Sequence, residues 1–281
     1  MKKIICILIT MMLVISLCGC HKTLDDKTKT IISDEILSRV LDVDRVITFT
    51  VDDTVEAVRT VTLNGTVLSL TYKQTGYHPL GDYHAHRYTV DGDESKFIDI
   101  DMNGNIIRIR YKYMTLDISK TATPDEVLEK LRPELEKIRD LSQYEFVELP
   151  EPREGGKGFG EYGFSFYNMQ DGIVTDYLYV SILDDGGVSD LYIFDMPDKR
   201  PTVNVNEDKL NDIINAKLKS THSTNGREYI SYKKSVDHYQ LTVYKGEYYL
   251  DCFVIPKFIQ NGSETSGFVI SLLVPLDLVN D

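Results

Sequence analysis

Short runs rich in Val, Ile, Thr and Tyr recur along the chain, and glycine-containing turns separate them. Asn64-Gly65 lies between VRTVTL and TVLSLTY (58–72), and Asn103-Gly104 lies between KFIDIDM and NIIRIRY (96–111). Asn-Gly suits the positive φ angles of a type I′ turn, which joins two antiparallel strands. Asp184-Asp185-Gly186-Gly187 and Lys245-Gly246 separate two further pairs of runs. The pattern therefore predicts β-hairpins as the main building blocks of the fold.

Only three segments have the signals of a helix. Thr123-Pro124-Asp125-Glu126 predicts a start with Thr123 as the N-cap, and Pro133 is expected to kink or split that helix. Asn206-Glu207-Asp208 predicts a second start, and Ser33-Asp34-Glu35 predicts a third. Apolar residues at helical spacing follow each start, so each helix has one face to bury.

The hairpins and helices recur with one spacing. Gly104 and Gly187 are 83 residues apart, and so are the helix caps Thr123 and Asn206. This predicts a duplicated unit, although chance alignment is the alternative because side-chain identity between the copies is low. The fold class predicted is α+β, with repeated units of one helix packed on an antiparallel sheet of about four strands. Each helix would cover one face of its sheet and leave the other face for solvent or a partner.

The N-terminus has the pattern of an export signal. Lys2 and Lys3 precede the uncharged run 4–17, which is too short to span a bilayer that needs roughly 20 apolar residues. Leu17-Cys18-Gly19-Cys20 resembles the lipobox of bacterial lipoproteins. The resemblance implies that residues 1–19 are a signal peptide and that Cys20 becomes the lipid-modified N-terminus, so 20–32 would be the lipidated Cys and a flexible tether. The alternatives are an ordinary secretory signal that is cleaved elsewhere and a retained membrane helix, which the short apolar run disfavours.

The net charge argues against two classes of binding partner, and the cysteine content indicates which thiol the exported chain would keep. The chain has 44 acidic and 31 basic residues and a formal net charge of −13, which argues against nucleic acid and against broad adhesion to an anionic membrane surface. If Cys20 is acylated and the signal removed, Cys252 is left as a lone cysteine. It lies in the strand-like run YYLDCFVIP, so a buried small hydrophobe is expected there.

Two strand–turn–strand–helix segments resemble the PepSY-like modules of bacterial exported proteins. They are FIDIDMNGNIIRIRY (97–111) with TPDEVLEKL (123–131), and LYVSILDDGGVSDLYIF (178–194) with NEDKLNDII (206–214). The resemblance implies binding or restraint of a partner outside the cell and supplies no catalytic residue. The domains expected are 33–118 (a helix plus antiparallel strands), 119–202 (a PepSY-like helix plus sheet unit) and 203–281 (a second such unit).

Two segments could hold a metal ion. In YHPLGDYHAHRY (77–88), His84 and His86 lie on one strand face, and His78 or Asp82 could add a ligand, which suits zinc. In DIDMNGN (99–105), Asp99, Asp101 and Asn103 match the first half of a calcium loop, but Arg110 stands where a closing Glu is needed. The alternatives are ordinary surface histidines and an acidic hairpin.

Catalytic motifs are missing from the sequence. The glycine-rich stretch EGGKGFGEYGF (154–164) lacks the Lys-Ser/Thr of a phosphate loop, and no Gly-x-Ser-x-Gly or His-Glu-x-x-His occurs. A pair of acidic residues of the glycosidase kind is left open. We therefore predict no cofactor and no enzyme activity. The expected function is a membrane-anchored, extracytoplasmic lipoprotein that binds another envelope protein, peptidase or peptide through its open sheet face or edge. A metal or small-solute binding lipoprotein that uses the His78–His86 cluster is the alternative.

Overall fold

The structure is a computed structural model that describes residues 32–43, 45–119, 122–144, 146–148, 162–195, 200–223 and 226–281. The predicted signal peptide, Cys20 and nearly all of the tether lie outside the described residues. The same holds for the glycine-rich stretch up to Glu161.

Three helices form where the sequence predicts them: α1 Asp34–Arg39, α2 Pro124–Glu136 and α3 Glu207–His222. A single 3₁₀ turn, Leu276–Leu278, follows the last strand. Ser33, Thr123 and Asn206 are the N-caps, and Thr123 forms a capping box with Glu126. The expected split at Pro133 is wrong, because this proline lies in the last turn of α2 and the helix continues past it.

Sixteen strands make up most of the described chain. They are β1 Leu41–Asp42, β2 Thr48–Thr50, β3 Val58–Leu63, β4 Thr66–His78, β5 Tyr83–Val90, β6 Asp93–Asp101, β7 Ile106–Thr115, β8 Phe146–Glu148, β9 Tyr162–Gln170, β10 Ile173–Ile182, β11 Gly187–Phe194, β12 Arg227–Lys234, β13 Tyr239–Tyr244, β14 Glu247–Gln260, β15 Ser263–Ser266 and β16 Ile270–Pro275.

The four predicted hairpins are confirmed as β3–β4, β6–β7, β10–β11 and β13–β14. Asn64 and Gly65 have φ angles of 49° and 75°, as a type I′ turn requires. The β6–β7 turn is different, since Gly104 has a φ of 90° but Asn103 does not have a positive φ. There the Asp101 carboxylate accepts the backbone N–H groups of Asn103 and Asn105 and holds the turn.

The prediction of repeated helix-on-sheet units with about four strands each is wrong. All sixteen strands belong to one mixed sheet whose main path runs β1-β16-β14-β13-β10-β11-β7-β6-β5-β4-β2. β7 pairs antiparallel with β11, and β10 pairs parallel with β13, so the expected units share their strands. Separate sheets would have left long rows of unpaired backbone groups at their edges, and the pairing of these strands removes them.

Two hydrophobic cores lie on one face of the sheet, which we call the helix face. In the first core, Val127 and Leu131 of α2 cluster with Ile98 and Ile109 of the sheet. In the second, Leu210 and Ile214 of α3 cluster with residues of β13, β14 and β16. The fully buried Cys252 belongs to this second core, which confirms the expectation of a buried small hydrophobe.

The sheet curls over its other face, which we call the open face. A flat path of eleven strands about 4.8 Å apart would separate β1 from β2 by about 50 Å. Residues 43–47 join these two strands and can span at most about 20 Å. Arg45, in this connection, reaches Asp251 of β14, and Phe49 of β2 packs on Arg87 of β5. The open face is therefore the inner side of the curl.

Candidate binding cleft on the open sheet face

A fork in the sheet creates a cleft on the open face. Ile173 and Val174 of β10 pair with β13, whereas Tyr177–Ile182 of the same strand pair with β11. One arm of the sheet runs from β13 to β1 and the other runs from β11 to β2. Two residue pairs, Ile173 with Tyr239 and Val174 with Gln240, join the first arm to β10, and the two arms diverge beyond them. A β-bulge between Val174 and Asp176 lies at the point where β10 changes partners.

The cleft at this fork has a volume of about 550 Å³. Its size falls in the range of about 300–1,000 Å³ that is typical of ligand sites. Both arms of the sheet, the turn before β13 and the connection 43–47 contribute its lining: Ile47, Arg108, Ser165, Tyr167, Val174, Tyr177, Tyr179, Asp190, Tyr192, Ser235, Val236, His238, Gln240 and Phe253.

Aromatic side chains form most of the walls. The Tyr177 ring stacks on Phe194 at 5.3 Å between centroids and lies 5.6 Å from Tyr192. Across the cleft, Tyr167 lies 4.8 Å from the His238 ring. Burial raises the pKa values of the Tyr177 and Tyr192 phenols, so both are neutral at physiological pH. These walls offer apolar contact area with hydrogen-bonding tips.

One ion pair in the lining is loose. Arg108 Nε lies 3.7 Å from Asp190 Oδ1, and each side chain is about a quarter exposed. Both atoms are buried and have no hydrogen-bond partner among the described residues. The guanidinium also lies over the rings of Phe97 at 5.4 Å and Tyr192 at 6.0 Å. Burial raises the pKa of Asp190, and the nearby Arg108 and Arg110 oppose that shift.

Two other ion pairs on the open face are tight. Asp99 is fully buried and binds Arg87 through both carboxylate oxygens at 2.8 and 2.9 Å, while the Tyr83 hydroxyl donates to Oδ2 at 2.9 Å. Asp251 is 2% exposed, binds Arg45, and accepts from the Ser271 hydroxyl at 2.5 Å. Both acids accept hydrogen bonds from their arginines, whereas Asp190 Oδ1 accepts none among the described residues.

The predicted metal ligands do not converge. His78 is buried, and its Nδ1 accepts the Leu80 N–H at 2.9 Å. Asp82 and His84 line one small cleft, whereas His86 lines another and its Nδ1 lies 2.9 Å from Thr75 Oγ1. In the described part of the chain, no group of three or more His, Cys, Asp or Glu side chains is placed to hold a metal ion.

The two aspartates of the predicted calcium loop also accept hydrogen bonds from other groups of the protein. Asp99 is held by Arg87 and Tyr83, and Asp101 accepts hydrogen bonds from the turn that follows it. Asn103 lies in that turn, and Arg110 lies on β7 opposite Phe97 of β6. This segment therefore forms a β-hairpin whose turn is held by the Asp101 carboxylate.

Sequence reasoning missed the residues of the cleft. Arg108 was visible only as part of a predicted strand, NIIRIRY, and Asp190 and Tyr192 only as part of another. A usable signal did exist: Arg108 and Arg110 alternate with apolar residues, so both must lie on the face opposite Ile109. The sequence does not show that this face bends inward onto β10 and β13.

Comparison of the chain with protein-family models, with curated proteins and with solved structures found no match. Among the described residues, no helix combines the length and apolar character that crossing a membrane requires. The resemblances to a lipobox and to PepSY-like modules are still predictions.

Proposed function

We propose that this chain is a non-catalytic lipoprotein, anchored through Cys20 on the extracytoplasmic side of the cell membrane, that binds a peptide segment of another envelope protein. The bound segment would lie in the cleft of the open face. The observation that carries the proposal is the 550 Å³ cleft lined by Tyr167, Tyr177, Tyr179, Tyr192 and Phe253. Aromatic residues are enriched in protein interfaces because they give a large contact area and retain polar atoms.

The fork in the sheet also supports the binding of a chain segment. The arms diverge at β10, and the lining comes from both of them and from the turn before β13. A segment laid between the arms would contact both, which a ligand resting on one flat sheet face could not do. The neutral phenols supply hydrogen-bond donors and acceptors for the backbone of such a segment.

Site-specific photocrosslinking in cells of origin tests the proposal. A photoreactive amino acid replaces Tyr179, which lines the cleft, and in a control it replaces Glu129, which is exposed on α2 on the helix face. We expect one envelope protein to be trapped at 179 and not at 129, and mass spectrometry to map the crosslink to one segment of it. A peptidase as that partner would agree with the PepSY resemblance.

Two further variants make the crosslinking result specific. Gln240→Trp fills the cleft from β13 and should abolish the crosslink at 179. Cys20→Ser removes the residue that would carry the lipid. Because acyl chains provide the anchoring, this variant should move from the membrane fraction to the soluble fraction. Equal crosslinking at 179 and 129, or a crosslink at 179 that survives Gln240→Trp, would contradict binding in the cleft.

A further inference from the structure

The open face gathers arginines beside the cleft, although the chain as a whole carries a net charge of −13. Arg87, Arg108 and Arg110 surround the Phe97 ring at 3.8, 5.4 and 5.9 Å. The acid beside Arg87 is Asp99, which it binds with two hydrogen bonds. The acid that faces Arg108 is Asp190, and the closest approach of that pair is 3.7 Å.

Arg108 is the arginine that lines the cleft. The closest approach to Asp190 is longer than a hydrogen bond, so Asp190 faces the guanidinium but leaves its buried Nε–H without a hydrogen-bond partner among the described residues. Phe97 and Tyr192 lie against the guanidinium and restrict its movement. A guanidinium held in one orientation suits the binding of a carboxylate, because its paired N–H groups can donate to both carboxylate oxygens.

We propose that Arg108 binds a carboxylate side chain of the peptide in the cleft, and that apolar or aromatic residues of the peptide on either side of this acid pack among Tyr177, Tyr192 and Phe253. This inference rests on the proposed function and names the chemistry of the bound segment. One arginine with an acid beside it matches a single negative charge better than a doubly charged phosphate. An anionic lipid surface is disfavoured as the source of the charge, because the acidic chain would be repelled by it.

The lack of tryptophan in the chain gives a direct binding assay. Two pools of capped tetrapeptides, acetyl-X-Trp-Glu-X-amide and acetyl-X-Trp-Gln-X-amide with apolar X, are titrated with the full chain in detergent, and the anisotropy of peptide tryptophan fluorescence is followed. A hydrogen bond to a charged group contributes ~1.5–3 kcal/mol, so the Glu pool should bind about ten to a hundred times more tightly than the Gln pool. Arg108→Gln should remove this preference.

Two more variants separate the carboxylate contact from general effects. Arg227→Gln, on β12 away from the cleft, should keep the full preference for the Glu pool. Asp190→Asn removes the acid beside Arg108 and should increase the preference, a change that damage to the fold would not produce. Far-UV circular dichroism checks that each variant is folded.

The possible results show whether the carboxylate inference fails alone or whether peptide binding in the cleft fails as well. If both pools bind equally and Gln240→Phe, which fills the cleft and keeps the chain free of tryptophan, abolishes their binding, the cleft binds peptides but the carboxylate inference is wrong. A preference for the Glu pool that persists in Arg108→Gln, or that falls in Asp190→Asn, would also overturn the inference. If neither pool binds at millimolar concentration while vesicles rich in anionic phospholipid are bound, the inference is wrong and the cleft serves a membrane. The crosslinking experiment then judges the proposed function by itself.

Discussion

Replacement of Arg87 by Met should destabilise the protein strongly, because it leaves the Asp99 carboxylate buried without its ion partner. Asp99 is 0% exposed and Arg87 is 16% exposed, so water screens this pair little. Breaking a buried pair from one side typically costs ~3–5 kcal/mol. Tyr83 still donates one hydrogen bond, and the Met side chain still packs between Phe49 and Phe97. We therefore expect a loss near the lower end, about 3 kcal/mol.

Urea unfolding followed by far-UV circular dichroism measures this loss. With a slope of about 1–3 kcal/mol/M, the midpoint should fall by about 1–3 M. Lys73→Met is the matched control: it breaks the Lys73–Glu94 pair between β4 and β6, but the side chains there are 46% and 74% exposed. Such an exposed pair contributes at most about 1 kcal/mol. The double variant Arg87→Met/Asp99→Asn has no buried charge at the site and should regain more than half of the loss. A midpoint for Arg87→Met equal to that of Lys73→Met would refute the reasoning.

Three further predictions concern turns, the buried thiol and high pH. Gly172 and Gly186 lie in turns with φ angles of +80° and +79°, but an added Cβ meets nothing within 4 Å at Gly172 and lies 2.4 Å from the Leu116 carbonyl oxygen at Gly186. Gly172→Ala should therefore lower the free energy of unfolding by about 1 kcal/mol and Gly186→Ala by clearly more, and equal losses in urea unfolding would contradict this. Burial raises the pKa of the Cys252 thiol, so the folded protein should resist alkylation there at pH 8, and tryptic mass spectrometry should find the adduct only after unfolding. Burial raises the pKa of Tyr111, Tyr144 and Tyr229 to about 12, above the ordinary value of 10.0, so their contribution to stability is complete below pH 10 and is lost as the pH rises toward 12. A spectrophotometric titration in which all tyrosines ionise near pH 10 in the folded protein would contradict the last prediction.

Local structure was predictable because its causes lie within a few residues. The caps Thr123 and Asn206 stand at the starts of α2 and α3, and Asn64-Gly65 forms the β3–β4 turn. Capping and turn formation depend on the side chains and φ angles of three or four consecutive residues. A single sequence contains that information in full.

Strand partners were not predictable, and this error produced the wrong fold class. The alternation around Ile109 shows which residues share a face of β7, but it does not show that β7 pairs with β11. The 83-residue spacing suggested separate copies, whereas β10 pairs with both β11 and β13 and joins their strands in one sheet. Pairing between distant strands depends on which sheet edges are free after the hairpins form, and no local pattern encodes that.

The candidate site was missed for a related reason. The alternation in FIDIDMNGNIIRIRY agrees with the burial of Ile98 and Ile100 in the core, but the sequence predicts an acidic hairpin surface on the opposite face. Asp99 on that face is instead fully buried, and Arg108 lines a cleft, because the connection from β1 to β2 draws the sheet into a curl. A polar residue on a strand can therefore lie inside a fold when the sheet closes over it. The aspartate–arginine contacts of this inner face differ in one respect: Asp99 and Asp251 accept hydrogen bonds from their arginines, whereas Asp190 leaves the buried Nε–H of Arg108 without a partner among the described residues. Buried polar atoms in native structures nearly always have partners, so the unpartnered Nε–H of Arg108 in the wall of an aromatic cleft supports the proposed carboxylate contact.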